Sequence, residues 1–419
     1  MPFRSALSGI NAAGQELKVI GNNVANASTT GFKQSRAEFA DVYASAGAGA
    51  AATAIGSGVR LAAVTQQFSQ GNIGFTDNKL DMAINGRGFF VTENNGTRSY
   101  TRAGSFQVDR EGYMVNSNSD RLVVNNADAD GNITGAVGPL RLDTSNITPR
   151  ATTRLDVGLN LDSTQKVPNT VPFDPEIASS FNHSTSLTVY DSLGGAHLAT
   201  MYFVKSPENN VWEAHTFVDG KNIKGGAAPP YQSDNLTFNG SGALAAINGT
   251  PVPPGAIEYP GFDVGNGSDP LSLSINLLGA TPTTQFGSQF NVSALTQNGF
   301  TSGRLSGIDI DDSGVIRARY SNGQTRTLGQ VSMADFSNPQ GLRQLGDTGW
   351  AESFASGAPL VGTPGSGSLG VLQAGALENS NVDLTGELVN MITAQRNFQA
   401  NAQVISTADT VTQTIINIR

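Results

Sequence analysis

The chain has 419 residues, a formal net charge of −9, 14% charged and 7% aromatic residues, 49 glycines and no cysteine. That length allows two or three domains. The acidic balance excludes a basic nucleic-acid surface, and the missing thiol excludes disulfides, thiolate catalysis and cysteine-ligated metal.

The first residues, MPFRSALSGINAAGQELKVIGNNVAN, contain no unbroken apolar core of a secretory signal. Phe3, Leu7, Ile10, Gly14, Leu17, Gly21 and Val24 instead alternate in steps of four and three. This is a helical heptad seam, with Gly14 and Gly21 expected where a partner helix approaches closely. No stretch reaches the run of about 18 apolar residues of a membrane helix, so membrane insertion is not expected.

Residues 44–54 (ASAGAGAAATA) and 357–370 (GAPLVGTPGSGSLG) are low-complexity stretches. They are expected to connect helical ends to a β body. Between them the period changes to two. Residues 86–115, 184–205 and 313–333 alternate apolar and polar side chains around Asn-Gly and Gly-Gly turn signals, as hairpins require. The middle therefore reads as all-β with at least two domains.

The C-terminal segment returns to helical spacing. Leu384, Leu388, Met391, Phe398 and Ile405 form a second seam, which drifts to Val404, Val411 and Ile418 with Ala408 and Ile415 interleaved. Drift is expected because 3.6 residues per turn does not match a heptad. Burying one such seam does not offset the cost of ordering its backbone, so the ends are expected to order against several neighbours. An intramolecular helix pair inside one domain is the other reading. Gln395, Gln399, Gln403, Ser406, Thr410, Gln413 and Asn417 also share helical spacing and are all polar but uncharged. A solvated helix face usually carries Lys and Glu. This stripe either lines a space or hydrogen-bonds to neighbouring helices.

Candidate chemistry is thin. His183, His197 and His215 lack short ligand spacing and read as ordinary β-domain histidines. GSGSLG at residues 365–370 imitates a dinucleotide loop without the preceding strand. NADADGNI at 126–133 and DIDDSGVI at 309–316 imitate half a calcium loop, but their twelfth positions hold Val137 and Tyr320 where a bidentate Glu is needed. They read as hairpin turns. No G-x-S-x-G elbow occurs, and Asp311 and Asp312 have no identifiable base or nucleophile beside them. No catalytic residue, cofactor or metal is expected.

Three motifs carry a resemblance. SALSGINAA with IGNNVANASTTGFKQSRAEF (residues 5–39) resembles the N-terminal signature of the flagellar axial proteins, the rod, hook and hook-associated subunits. NGRGFFV with YTRAGSFQVDREGYMV (85–115) is similar to the β motif of hook and distal rod proteins. The sequence from 375 to 419 resembles their C-terminal signature almost without gaps, and residues 152–301 look like the outer domain of hook proteins.

The resemblance implies coiled-coil-like terminal helices packed together, with all-β inner and outer domains inserted between them. The division expected is a terminal helical domain (1–30 with 376–419), connecting segments (31–71 with 357–375), an inner β domain (72–151 with 302–356) and an outer β domain (152–301). It implies a hook subunit: a helical homopolymer forming a bending tube around an export channel, outside the cell, delivered by the flagellar type III export apparatus. Rod proteins, the hook cap and hook–filament junction proteins are the implied partners. The polymerisation seam would comprise Phe3, Leu7, Ile10, Leu17, Val24, Leu384, Leu388, Met391, Phe398, Ile405, Val411 and Ile415, with the uncharged stripe facing the channel. A distal rod protein and a secreted β-rich adhesin are the alternatives. The size of the middle insert argues against the first, and the heptad ends against the second.

Overall fold

The computed structural model describes residues 2–42, 56–128, 131–142, 145–226, 228–253 and 255–417. The chain divides into two compact units. The first comprises residues 1–144, 307–319 and 325–419, and the second residues 145–306 and 320–324. The low-complexity stretch 44–54 lies outside the described residues.

The first unit holds both chain ends. Helix α1 spans Pro2–Ala25 and helix α2 spans Leu384–Asn417. Asp383 caps α2, accepting from the Thr385 N–H at 3.0 Å and satisfying one of the orphan donors of its first turn. The two helices pack on each other, so the intramolecular pair is the reading realised within one chain. After α1, strands Ser35–Asp41 and Val59–Gln66 form a separate antiparallel ribbon.

The main sheet of this unit is built around the strand Arg121–Ala127, which pairs with Phe89–Asn94, Ile133–Pro139 and Thr325–Val331. Phe89–Asn94 forms a two-residue hairpin with Thr97–Thr101, closed by Asn95 and Gly96 at φ 50° and 82°. Both turn residues are left-handed, as the Asn-Gly signal demands. Alternation along the strand then sorts the side chains onto two faces. Phe90 joins Met82, Phe106, Leu122, Val124 and Met333 on one face; Phe89 and Val91 join Tyr100, Phe336 and Trp350 on the other.

The stretch 357–370 is not a bare tether. Leu360–Gly362 pairs with Met333–Asp335, and Val371–Ala374 pairs with Met82–Asn85. Its glycines serve turns and close backbone approach: a Cβ on Gly370 would lie 2.3 Å from the Asn85 carbonyl oxygen.

In the second unit two sheets share one core. One contains His183–Tyr190, Ala196–Lys205, Val211–Val218 and Asp234–Phe238; the other contains Ala256–Phe262, Leu271–Asn276, Arg154–Asn160 and Asn291–Gln297. Leu155, Leu159, Met201, Trp212, Leu236, Ile257 and Leu273 fill the space between them. Several of its polar groups are paired, although both ring nitrogens of the buried His215 have no hydrogen-bond partner among the described residues. The Trp212 indole donates to Gln285 at 3.1 Å, while the Tyr259 hydroxyl and Lys224 ammonium both donate to the buried Asp234 carboxylate.

A second polar cluster ties three loops of this unit. His197 Nε2 lies 3.0 Å from Asp191 and Nδ1 lies 2.6 Å from Asp219, while the Asn266 amide also donates to Asp191. A carboxylate at each ring nitrogen favours the doubly protonated, cationic imidazole, in which both nitrogens donate. Burial opposes that charge, but the two aspartates outweigh it and raise the His197 pKa. Burial likewise opposes ionisation of Asp191, yet the bonds from His197, Asn266 and two backbone N–H groups hold it down at about 2.

The sign for stability follows by linkage. A raised folded-state pKa means that the His197 contribution is complete below its unfolded value of about 6.5 and is lost as pH rises through the folded value. The thermal midpoint of the second unit is therefore expected to fall as pH rises above about 6.5, and His197→Gln to remove that part of the slope. Scanning calorimetry of both chains at several pH values checks this; parallel pH profiles refute the clasp.

Candidate assembly site

The seam between α1 and α2 is built mostly of small side chains. Ala6, Ala13 and Ile20 are the buried apolar residues of α1 and stand seven apart; on α2, Ala394 and Glu387 are buried. Asn401 and Ala408, half-buried, continue the same heptad row. The helices run antiparallel: Phe3 lies by Ala408 and Val411, and Gly9 by Asn401. A Cβ on Gly9 would sit 2.5 Å from the Asn401 side-chain oxygen. Gly14 and Gly21, expected at the close approach, have nothing within 4 Å of a built Cβ. The contact favours Gly9 because its turn of α1 faces the buried row of α2.

A small-residue seam leaves the larger side chains over. Of the residues assigned to a polymerisation seam, Phe3, Leu7, Leu384, Leu388, Phe398, Val411 and Ile415 are exposed, and Ile10, Leu17, Val24, Met391 and Ile405 are half-buried. The subunit therefore brings only part of that set together. In the uncharged stripe, Gln395, Gln399, Gln403, Ser406, Thr410 and Gln413 are all exposed. The Asn417 side chain lies outside the described residues. Thr410 donates to the Ser406 carbonyl and Gln413 to Asp409, so part of the stripe is already satisfied by its own helix.

The ends are anchored to the β body by charges that motif reading did not pick out. Lys33, after α1, and Glu378, before α2, are fully buried side chains 2.6 Å apart. Arg102 binds the other carboxylate oxygen at 3.1 Å and the Gly86 carbonyl at 2.8 Å. The Gly71 N–H donates to Glu378, and Lys33 also donates to the Ser69 carbonyl. Burial lowers the Lys33 and Arg102 pKa values against the pull of Glu378.

Amides complete the anchor. Asn23 exchanges two hydrogen bonds with the Ser35 backbone, at 2.8 and 2.9 Å, and so fixes the exit of α1 into the ribbon. Asn381 accepts from the Gln34 N–H and donates to the Gln67 carbonyl. Gly31 has φ 71°, and a Cβ there would meet the Ala103 nitrogen at 2.5 Å. The sequences around GFKQS and GALENSN are thus tied to each other through polar groups.

A groove of about 520 Å³ at the end of α1 is lined mainly by amides and hydroxyls, including Asn22, Asn26, Thr29 and Ser105. Its Lys33 is committed to Glu378. Among the described residues no His, Asp and Glu cluster has metal-binding geometry, and no helix is long and apolar enough to cross a membrane. The imitation calcium loop at 309–316 is a hairpin turn in which Asp311 accepts from the Ser313 and Val315 N–H groups.

Terminal helices that pair, enclose a β body and leave apolar side chains uncovered define a subunit of the flagellar axial class. Family models agree along the chain: "Flagella basal body rod protein" at residues 3–33, "Flagellar hook protein FlgE/F/G D1 domain" at 83–158, "Flagellar basal body protein FlaE D2 domain" at 160–300, and "Flagellar basal body rod FlgEFG protein C-terminal" at 373–418. The chain is 38% identical to the flagellar hook protein FlgE of Escherichia coli over the full length of both, and 30% identical to that of Borreliella burgdorferi over 99% of this chain and 98% of the relative. A crystal structure of a Helicobacter pylori flagellar hook protein shares the fold, with a TM-score of 0.55 and 14% identity over 73% of this chain and all of that one. The chain belongs to the flagellar hook protein family.

Three substitutions, one with a rescuing partner, test the geometry. Glu378→Gln leaves Lys33 and Arg102 buried without their anion and is expected to destabilise the first unit by about 3–5 kcal/mol, read from denaturant unfolding. A loss below about 1 kcal/mol would show that the cluster is solvated. Gly9→Val is expected to drive the helices apart and lower the melting temperature of the helical signal, with partial rescue by Asn401→Ala. Gly14→Ala, with open space around it, is expected to raise helix stability by up to about 1 kcal/mol.

Proposed function

We propose that this chain is the repeating subunit of the flagellar hook, a tube that bends while it transmits torque from rod to filament. The observation that carries the reading is the helix pair: it consumes alanines and leaves Phe3, Leu7, Leu388, Phe398, Val411 and Ile415 uncovered. A chain that remained a monomer would gain nothing from such a surface. The match to hook proteins over the whole chain gives the surface its partner, further copies of itself. The insert matching the D2 model favours a hook over a distal rod subunit, and the paired ends disfavour an adhesin.

In this reading the exposed seam residues pack against neighbouring helices, and the stripe from Gln395 to Asn417 faces a central channel. A neutral polar wall neither holds charged segments nor binds exposed apolar ones, because its hydrogen bonds are already met by water or by its own helix. Export runs through the flagellar type III apparatus. The partners are rod proteins, the hook cap and the junction proteins. The role is structural, with no catalysis. Residues 152–301 form a separate layer of the tube.

Removing residues 1–26 or 382–419 is expected to leave a folded β body that does not polymerise. Sedimentation and electron microscopy check this; tubes formed by either truncated chain would overturn the assembly reading. In a density map of the full-length tube, Gln399 and Gln403 buried between subunits, with Phe398 and Ile405 on the channel, would reverse the assignment of faces.

A further inference from the structure

In an Asn-Gly pair the side-chain amide and the next backbone nitrogen meet with little hindrance, because glycine has no Cβ to block the approach. The chain holds this pair at Asn85, Asn95, Asn239, Asn248, Asn266, Asn298 and Asn322. The fold treats them unequally. The Asn239 amide oxygen accepts from the Ser241 and Ala243 N–H groups, and that of Asn298 from the Thr153 and Arg154 N–H groups. Asn248 donates to Asp234 and accepts from the Asn235 N–H, while Asn266 donates to Asp191 and accepts from the Ser268 N–H. Asn322 donates to the Thr301 carbonyl and accepts from the Gln324 N–H. At Asn85 the nitrogen is the group held: the Gly86 N–H donates to Gln70, and a Cβ on Gly86 would lie 2.9 Å from Gly370.

Asn95 is the exception. With Gly96 it forms the exposed tip of the hairpin between Phe89–Asn94 and Thr97–Thr101. Among the described residues neither its amide nor the Gly96 N–H has a hydrogen-bond partner. A Cβ built on Gly96 meets nothing within 4 Å, so the tip can change its backbone angles without disturbing a neighbour. Only the last ladder pair, Asn94 with Thr97, has to open, and exposed hairpin ends open at low cost.

We infer that Asn95 with Gly96 is a covalent modification site, at which the folded chain deamidates spontaneously with water as the co-reactant. The Gly96 nitrogen attacks the Asn95 Cγ and forms a new N–Cγ bond. The bond from Cγ to the amide nitrogen breaks, the Gly96 proton passes through solvent to the departing group, and ammonia leaves. Water then opens the cyclic imide. Opening at Cγ gives aspartate; opening at the backbone carbonyl gives isoaspartate, in which the chain runs through the side-chain carboxyl. Water is consumed, ammonia is released, and nothing is oxidised or reduced. The two products differ in structure. Aspartate keeps the turn, because Asp-Gly suits a tight hairpin as Asn-Gly does. Isoaspartate adds a backbone atom to a two-residue turn and so disturbs the pairing of Asn94 with Thr97. Either product places a new negative charge next to Asn94, whose amide donates to Asp120 at 2.8 Å.

The test is a time course of the folded full-length chain in mildly alkaline buffer, digested and mapped by mass spectrometry, with electron-driven fragmentation to separate aspartate from isoaspartate. Conversion of Asn95 is expected to outrun that of every other Asn-Gly pair by about tenfold or more, since each hydrogen bond that must first break lowers the reactive population by up to about tenfold. In denaturant the pairs are expected to converge, which assigns the difference to the fold. Asn95→Gly, which suits the same turn and removes the amide, is expected to abolish the fast phase of ammonia release while the chain stays folded. Faster conversion at another pair, equal rates in the folded chain, a lead for Asn95 that persists in denaturant, or a fast phase that survives Asn95→Gly overturns the site.

Discussion

One buried carboxylate holds this fold to its ends. Glu378 receives Lys33 from beyond the first helix and Arg102 from the main sheet, and it stands just before the second helix. Taking three charges out of water is costly, and such clusters are weak sources of net stability. Their force is geometric: with one member misplaced, the others are buried unpaired. Two cations face one anion, so the excess is spread over the Ser69 and Gly86 carbonyls and over the Phe89 ring, 5.5 Å from the Arg102 guanidinium carbon. That arrangement fixes where each helix leaves the β body.

From that point the helices can pair only along the faces they are given. The seam uses Ala6, Ala13 and Ala394, with Gly9 admitting Asn401. Small residues bring the axes close but bury little area each, so the pair depends on its anchor and on what later covers its flanks. The same economy of large side chains leaves Phe3, Leu7, Leu388 and Phe398 uncovered.

Much of this was legible in the sequence, for reasons that differ by element. The hairpins were readable because Asn95-Gly96 and the Gly194 turn need backbone angles that few residues tolerate, and those residues mark themselves. The terminal helices were readable from heptad spacing. Their internal face was not: a seam of large apolar residues is the natural expectation, whereas the chain pairs through alanines and turns Leu388 and Phe398 outward. The expected approach at Gly14 and Gly21 moved to Gly9 for the same reason. The Gly-rich stretch 357–370 looked like a linker because composition does not distinguish a tether from a strand edge joined by tight turns. Lys33 and Glu378 lie 345 positions apart, and no local pattern joins them. His197 gave no signal because its aspartates arrive from two separate hairpin turns.

The first unit is discontinuous: Ile73–Phe75 pairs with Ala376–Glu378, and Met82–Asn85 pairs with Val371–Ala374. A chain that emerges from its N-terminus, from a ribosome or a narrow conduit, delivers the second unit as an almost unbroken segment nearly complete before those closing strands appear. The first unit cannot shut until almost the last fifty residues are out, and closing so long a loop is slow. The fold thus carries its own timer. The helix pair and its exposed apolar flanks come into being only once the whole molecule has arrived.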